Sequence, residues 1–210
     1  MRFISLLVSI ILLDIKMDAQ QTSSLTGEYY LSSVMETASG FKLNPDSTFQ
    51  FFFSYGALDR HGEGHWSVRE NKIFFNSRPR AEQDFGLNSS SQIDNDSIQI
   101  RITDKNELLL KYVHCTLKSG DILIRKVTDR TGIARFPKLP IDSLSLVFEF
   151  CPEKTSVFIP ENQKDNYFEF RFEPWIVEYS FKDFSLNIGD KTLEGSHPLL
   201  DGKKYIFRKN

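Results

Sequence analysis

Residues 40–68 read GFKLNPDSTFQFFFSYGALDRHGEGHWSV, and this segment decides the fold class of the chain. Aromatic side chains recur at every second position from Phe49 to Tyr55, so a β-strand would place all of them on one face. Turn-forming residues flank the run, with Asn-Pro-Asp at 44–46 before it and a glycine-rich segment at 59–64 after it. The segment therefore predicts antiparallel β-structure, with a turn at residues 59–64.

The composition of the whole chain favours an all-β protein and excludes a nucleic-acid surface. The 19 Phe and 7 Tyr residues lie in short alternating runs and do not follow helical spacing. The formal net charge is -2, and no block of like charge reaches the length that marks an interaction tail. We therefore expect no nucleic-acid partner, and no segment after residue 20 is apolar and long enough to predict a membrane span.

The N-terminus has the order of features found in a signal peptide. Arg2 precedes an apolar run at residues 3–13, and polar residues then lead to the small residue Ala19. We expect residues 1–19 to be removed before Gln20 and the protein to be periplasmic, cell-surface or secreted. The alternative is an apolar N-terminal strand.

An exported protein would expose its two cysteines, Cys115 and Cys151, to an oxidising environment, so a disulfide has to be considered. Strand parity places Cys115 on the inward face with Val113 and Leu117. Cys151 is out of phase with the alternating residues Leu144, Leu146, Phe148 and Phe150, so it should not share their inward face. The pairing stays open, and parity favours two free thiols.

Alternating runs predict two groups of strands separated by a polar segment. About five strands are expected in the first part of the chain, residues 20–90, at 27–34, 40–44, 48–56, 63–69 and 72–76. Residues 81–96 are rich in Ser, Asn and Asp and are predicted to form a linker. Seven short strands are expected in residues 97–173, at 97–103, 110–117, 121–127, 133–137, 143–150, 156–160 and 166–173.

The last segment, residues 175–210, holds too few strands to fold alone. About three are expected, at 177–181, 183–188 and 203–208, with Leu193 in a candidate fourth. Together with residues 20–90 they would close a small barrel of roughly eight strands, with the seven-stranded sandwich inserted between its halves. The alternative is two tandem β-domains in which these strands belong to the second.

Two parts of the chain resemble known families. The spacing Phe-x-Leu-x-x-Asp-x-x-Phe-x-Phe at 41–51, after Gly-x-Tyr at 27–29 and before Gly-x-Trp-x-Val at 64–68, is similar to the opening half of bacterial lipocalin-like domains. LLKYVHCTL at 109–117, followed by TDRTGIARF at 128–136, resembles the carboxypeptidase regulatory-like and transthyretin-like sandwiches, which have an Ig-like architecture. The first resemblance implies a barrel that holds a small apolar ligand, and the second implies an accessory module.

Candidate functional residues cluster around the aromatic run. His61, Glu63 and His65 are weak candidates for metal ligands, which would line up only if a strand continues through the adjacent glycines; a solvated turn is the plainer interpretation. The aromatic run could line a ligand cavity or fill a core, while Phe52 would face outward and need a cover or form an exposed apolar patch. The full set of candidate ligand-binding residues is Tyr55, Asp59, Arg60, His61, His65, Trp66, Arg78 and Arg80, with the two last arginines as an anion-binding rim.

No catalytic motif is recognisable in the sequence, so we expect an exported, non-enzymatic binding or accessory protein without a cofactor. Its partner would be a small apolar ligand or a component of the cell envelope. Two alternatives remain open, a carrier of a small apolar ligand in the barrel and a metal-dependent hydrolase centred on residues 59–65.

Overall fold

The computed structural model describes residues 24–56, 58–81, 83–202 and 204–210. The predicted signal peptide at residues 1–19 lies outside these ranges. Sixteen β-strands in the described residues, numbered in chain order, confirm the predicted all-β class. They are β1 Gly27–Leu31, β2 Thr37–Leu43, β3 Thr48–Tyr55, β4 Leu58–Arg69, β5 Lys72–Ser77, β6 Phe85–Ser91, β7 Ser97–Thr103, β8 Val113–Ser119, β9 Ile122–Val127, β10 Ile133–Pro137, β11 Ser143–Phe148, β12 Ser156–Phe158, β13 Tyr167–Phe172, β14 Phe184–Gly189, β15 Thr192–Gly195 and β16 Tyr205–Lys209.

The chain divides into two compact units. One, the barrel unit, contains the described residues up to Pro79 together with those of Glu178–Asn210, and the other, the sandwich unit, contains those of Arg80–Val177. The sandwich unit therefore follows β5 and precedes β14 in the sequence. Among the helices of the described residues, none combines the length and the apolar character needed to cross a bilayer.

The barrel unit is a closed antiparallel barrel, and its eight described strands follow the order β1-β16-β15-β14-β5-β4-β3-β2. Pairing of β1 with β16 closes the barrel, with Tyr30 opposite Arg208. Alternation in β3 directs Phe49, Phe51 and Phe53 into the buried interior, as the sequence predicts. A small barrel of this strand number has an interior that side chains can fill.

The sandwich unit consists of two four-stranded sheets, ordered β10-β7-β13-β6 and β12-β11-β8-β9, which share one apolar core. The predicted linker is wrong in part, because residues 85–91 form β6 and raise the strand count of this unit to eight within the described residues. β6 pairs with β13 at the edge of its sheet, and its Asn and Ser side chains face solvent. An edge strand of polar residues has the composition of a loop, which explains the error. Residues 107–112, predicted in part as strand, form a 3-10 helix.

The Thr-Asp-x-x-Gly pattern at 128–132 forms the turn that leads into β10. The Asp129 carboxylate accepts hydrogen bonds from the backbone N–H of Thr131 at 2.8 Å and of Ile133 at 3.1 Å, and the Thr131 hydroxyl donates to it at 2.6 Å. These bonds, led by the one from the Thr131 hydroxyl, lower the pKa of Asp129 to about 2. Gly132 takes a φ of 78°, and a Cβ there would meet the Ile102 carbonyl oxygen. The pattern is therefore explained by turn geometry.

Both cysteines carry thiols that are not joined in a disulfide, and both are buried in the core of the sandwich unit. Burial raises the pKa of Cys115 to about 12. The outward placement expected for Cys151 is wrong, because β11 ends at Phe148 and a turn interrupts the alternation before residue 151. The Cys151 thiol donates to the Ile176 carbonyl oxygen at 3.2 Å.

Candidate functional site

The segment predicted as a glycine-rich turn is part of a twelve-residue strand, β4, which runs from Leu58 to Arg69. Gly62 and Gly64 lie inside this strand and face the barrel interior. A Cβ at residue 62 would lie 2.7 Å from the Phe181 ring, and a Cβ at residue 64 would lie 2.1 Å from the Asn76 carbonyl oxygen. Gly62 is required by the Phe181 ring and Gly64 by the close approach of the β5 backbone, and the turn expected here is wrong.

The candidate metal ligands His61, Glu63 and His65 do share the outward face of β4, since the strand continues through both glycines. The His61 Nε2 atom lies 3.7 Å from a carboxylate oxygen of Glu178, an acid that the sequence did not point to. Asp59 is also outward and exposed. Among the described residues, no group of three or more His, Cys, Asp or Glu side chains converges as a metal site would require.

The other candidate ligand-binding residues of the barrel unit lie at different places in it. Arg60 and Trp66 face the barrel interior, where Arg60 is only 3% exposed. Tyr55 lies at the exposed end of β3, and Arg78 is exposed after β5. Arg80, in the sandwich unit, donates from Nη1 to the Trp175 carbonyl oxygen at 3.5 Å. The anion-binding role of the last two arginines stays a prediction.

The middle of the barrel interior is filled by aromatic rings. After β5 ends, the returning chain takes its place beside β4, where the Tyr179 N–H donates to the His61 carbonyl at 2.7 Å. This places the Phe181 ring inside the barrel, 5.1 Å from the Phe49 centroid and 5.2 Å from the Phe51 centroid. An interior packed in this way favours a core over a carrier cavity at this level of the barrel.

His197 is a buried histidine that the sequence analysis did not select, and it lies against the same core. Its exposed fraction is 5%, and its ring stacks at 5.8 Å on Phe207. The Leu199 N–H donates to His197 Nδ1 at 3.0 Å, so the proton is on Nε2, which lies 3.0 Å from the Ser39 hydroxyl oxygen. Burial lowers the pKa of His197 to about 4.

The pair formed by Ser39 and His197 is not arranged as a nucleophile and its base. The Ser39 hydroxyl donates to the Phe52 carbonyl oxygen at 2.9 Å, while His197 donates to Ser39. A base that activates a serine has to accept the hydroxyl proton. The polar groups of both residues therefore have hydrogen-bond partners, and the pair connects β2 to the chain around residue 197.

The outer face of the barrel carries a groove with exposed aromatic rings, which we call the aromatic groove. Tyr30, Gly40, Phe52 and His61 lie opposite one another on the neighbouring strands β1 to β4. The Tyr30 and Phe52 rings are 42% and 39% exposed, and their centroids are 6.0 Å apart at an interplanar angle of 62°. The groove has a volume of ≈ 400 Å³ and is lined by Glu28, Tyr30, Phe41, Lys42, Gln50, Phe51 and Phe52.

Glycine at position 40 shapes the aromatic groove. A Cβ at this position would lie 2.8 Å from the Phe52 ring and 2.4 Å from the Tyr29 carbonyl oxygen. Because residue 40 has no side chain, the Phe52 ring packs directly on the β2 backbone at Gly40. The sequence predicted that Phe52 would be covered by a partner or form an exposed apolar patch, and the structure shows it partly exposed beside Tyr30.

A row of polar side chains, the polar row, lies on the same outer face. It runs beside the row of Tyr30, Gly40, Phe52 and His61, which we call the aromatic row. Glu28, Lys42, Gln50 and Glu63 are opposite one another on β1 to β4, at the spacing of about 4.8 Å between neighbouring strands. The Tyr30 hydroxyl donates to Glu28 at 2.7 Å, and the Lys42 ammonium lies 3.8 Å from the same carboxylate. The hydrogen bond to Glu28 is the main cause of a raised pKa for Tyr30, which keeps the phenol protonated as a donor.

Comparison with known proteins adds no family to this geometry. No family model matches the chain, and neither a curated protein nor a solved structure matches it.

Proposed function

We propose that this protein is a non-enzymatic binding module whose barrel binds its ligand on the outer face, in the aromatic groove. The observation that carries the proposal is the exposed pair of Tyr30 and Phe52 rings beside a row of polar side chains. Ligand sites combine apolar and aromatic walls with a few placed polar groups, which is the composition of this groove.

The packed interior supports an outer site over the carrier alternative. The Phe181 ring packs against Phe49 and Phe51, and the inward Gly62 of β4 leaves room for that ring. The hydrolase alternative is less well supported, because His61 faces outward beside Glu178 and His197 donates to Ser39. Binding outside a filled barrel is the function that fits all these contacts.

We also propose that the protein is exported, with a lipocalin-like barrel interrupted by a carboxypeptidase regulatory-like sandwich. The closed eight-stranded barrel among the described residues is compatible with the first assignment. Support for the second comes from the TDRTGIARF turn and strand at 128–136. Export rests on the signal-peptide pattern of residues 1–19.

A fragment screen by two-dimensional amide NMR tests the proposed function without assuming a ligand. Small aromatic and polyol fragments should shift amide resonances of β1, β2 and β3 around Phe52. The Phe52→Ala variant should lose these shifts. Phe74→Ala is the matched control, since Phe74 also lies on the outer face of the barrel, under Arg69 and outside the groove. Fragments that bind only elsewhere, or shifts that persist in Phe52→Ala, would contradict the proposal.

A further inference from the structure

Resting on the proposed function, we infer that the ligand of the aromatic groove is a neutral carbohydrate, with a pyranose ring stacked against Phe52 and Tyr30 and its hydroxyl groups bonded by the polar row. The inference follows from the two parallel rows, one aromatic and one polar, on the same sheet face. A pyranose ring has the same division, because its C–H groups gather on a face and its hydroxyl groups point outward from the rim.

The aromatic row matches the apolar face of a sugar. The π face of a phenyl or phenol ring carries negative partial charge, and sugar C–H groups carry positive partial charge. Phe52 and Tyr30 meet at 62°, so together they form a corner with two walls. A planar nucleobase could stack on only one of the two aromatic rings, whereas a puckered pyranose ring can contact both.

The polar row offers both hydrogen-bond donors and acceptors. Glu28 supplies carboxylate acceptors, Lys42 supplies ammonium donors, and the Gln50 amide supplies both. A sugar hydroxyl donates one hydrogen bond and accepts others, so it needs this mixture. The Glu28 carboxylate is held in place by the Tyr30 hydroxyl at 2.7 Å, which fixes the acceptor before a ligand arrives.

Charge argues against an anionic ligand and against a purely apolar one. Glu28 and Lys42 lie 3.8 Å apart and balance each other, so the groove has no excess of positive charge for a phosphate or a carboxylate. A purely apolar ligand would cover these two charged groups without replacing their water, which is costly. A neutral ligand rich in hydroxyl groups satisfies both conditions.

The closed barrel argues against a peptide added as a further strand. β1, β2 and β3 each pair with a neighbour on both sides, so the groove has no free strand edge. Strand addition needs such an edge for its main-chain hydrogen bonds. The ligand therefore has to lie on the face of the sheet.

The two rows extend across several strands. This length favours an oligosaccharide as the ligand and not a single monosaccharide. His61 and Glu63 on β4 continue the two rows beyond Phe52 and Gln50. The groove volume of ≈ 400 Å³ falls in the lower part of the range of about 300–1,000 Å³ found for ligand sites. We expect an oligosaccharide running across the strands to bind more tightly than its monosaccharide.

Titration of the full chain with neutral oligosaccharides tests the inference. The probes are cello-, xylo-, malto-, manno- and N-acetylated chito-oligosaccharides, each compared with its monosaccharide, and binding is followed by amide NMR and calorimetry. At least one series should bind saturably at β1 to β3. Phe52→Ala and Gln50→Ala should each weaken that binding at least tenfold, with Phe74→Ala unchanged.

The outcomes separate the two levels of the proposal. If fragments bind the aromatic groove and no oligosaccharide does, the carbohydrate assignment is wrong and the binding function stands. If oligosaccharides bind equally well to Phe52→Ala, the site is wrong. If neither fragments nor oligosaccharides bind near Phe52, both proposals fail, and the Phe52 ring serves only to cover Gly40.

Discussion

Acidification should destabilise the barrel unit through one buried side chain, His197. Its ring lies among Phe53, Phe207 and Tyr205 and is hydrogen-bonded in the neutral form, with Nδ1 accepting from the Leu199 N–H. Protonation of Nδ1 would break that bond and place a charge among aromatic rings. The folded state therefore resists a proton that the unfolded chain takes up readily.

The size of the effect follows from the difference between the two pKa values. The pKa of His197 falls from 6.5 in the unfolded chain to about 4 in the folded protein, because of burial. One pKa unit corresponds to about 1.4 kcal/mol, so lowering the pH from about 7 to about 4.5 should remove about 2–3 kcal/mol of stability. A depressed histidine pKa means that stability is complete above pH 6.5 and is lost as the pH falls towards 4.

The assay is urea unfolding across this pH window, for the wild type and for His197→Gln, which can still donate to Ser39 but does not titrate. The wild type should lose stability between pH 6.5 and pH 4, whereas the variant should lose much less. Asp129, with a pKa of about 2, contributes below this window. An NMR titration of the His197 ring provides a direct check. Equal pH slopes for both proteins, or a ring that titrates near 6.5, would refute the reasoning.

Three further predictions concern the two cores. Phe181→Ala should lower the free energy of unfolding by about 3–5 kcal/mol, because its ring fills the barrel, whereas the outer-face control Phe74→Ala should cost much less; thermal unfolding would show whether the two differ. Lys154→Met should lower the free energy of unfolding in urea by about 3–5 kcal/mol, because the buried Asp84 carboxylate loses the ammonium group 3.2 Å away. The double variant with Asp84→Leu should recover part of this loss. No recovery would argue against the pairing. The Cys115 thiol should resist iodoacetamide in the native protein and react after denaturation, as peptide mass spectrometry can measure, since burial raises its pKa to about 12; rapid native labelling would contradict the buried position.

The sequence alone predicts much of the barrel, because alternation in the central strands is strong. Phe49, Phe51 and Phe53 are inward as the period of two requires. The glycines of β4 mislead, since glycine usually marks a turn. Gly62 and Gly64 alternate with exposed polar residues, which is the pattern of a strand with a crowded inward face, and at Gly62 that face is filled by the Phe181 ring. That filling residue, Phe181, is more than a hundred positions away, so no local pattern reveals it.

Sequence reasoning could not find His197, because its role depends on contacts that are distant in the chain. Its partner Ser39 is 158 positions away, and neither residue belongs to a recognisable spacing. The exposed histidines in β4 attracted attention because they lie close together in sequence. In the structure those two histidines face solvent. His197, which has no histidine near it in the sequence, is buried and has a lowered pKa.

The aromatic groove is easier to predict from the sequence than His197, because the register between β2 and β3 is set by one turn. The Asp46 carboxylate accepts from the Thr48 N–H at 3.0 Å, and the Asn44 N–H donates to the Thr48 carbonyl at 2.9 Å, which pairs Leu43 with Phe49. Counting away from the turn, three residues back along β2 and three forward along β3, places Gly40 directly opposite Phe52. A one-residue slip would send Phe52 inward and destroy both the core and the groove. The same turn therefore determines which aromatics stabilise the barrel and which one is left on the surface to bind.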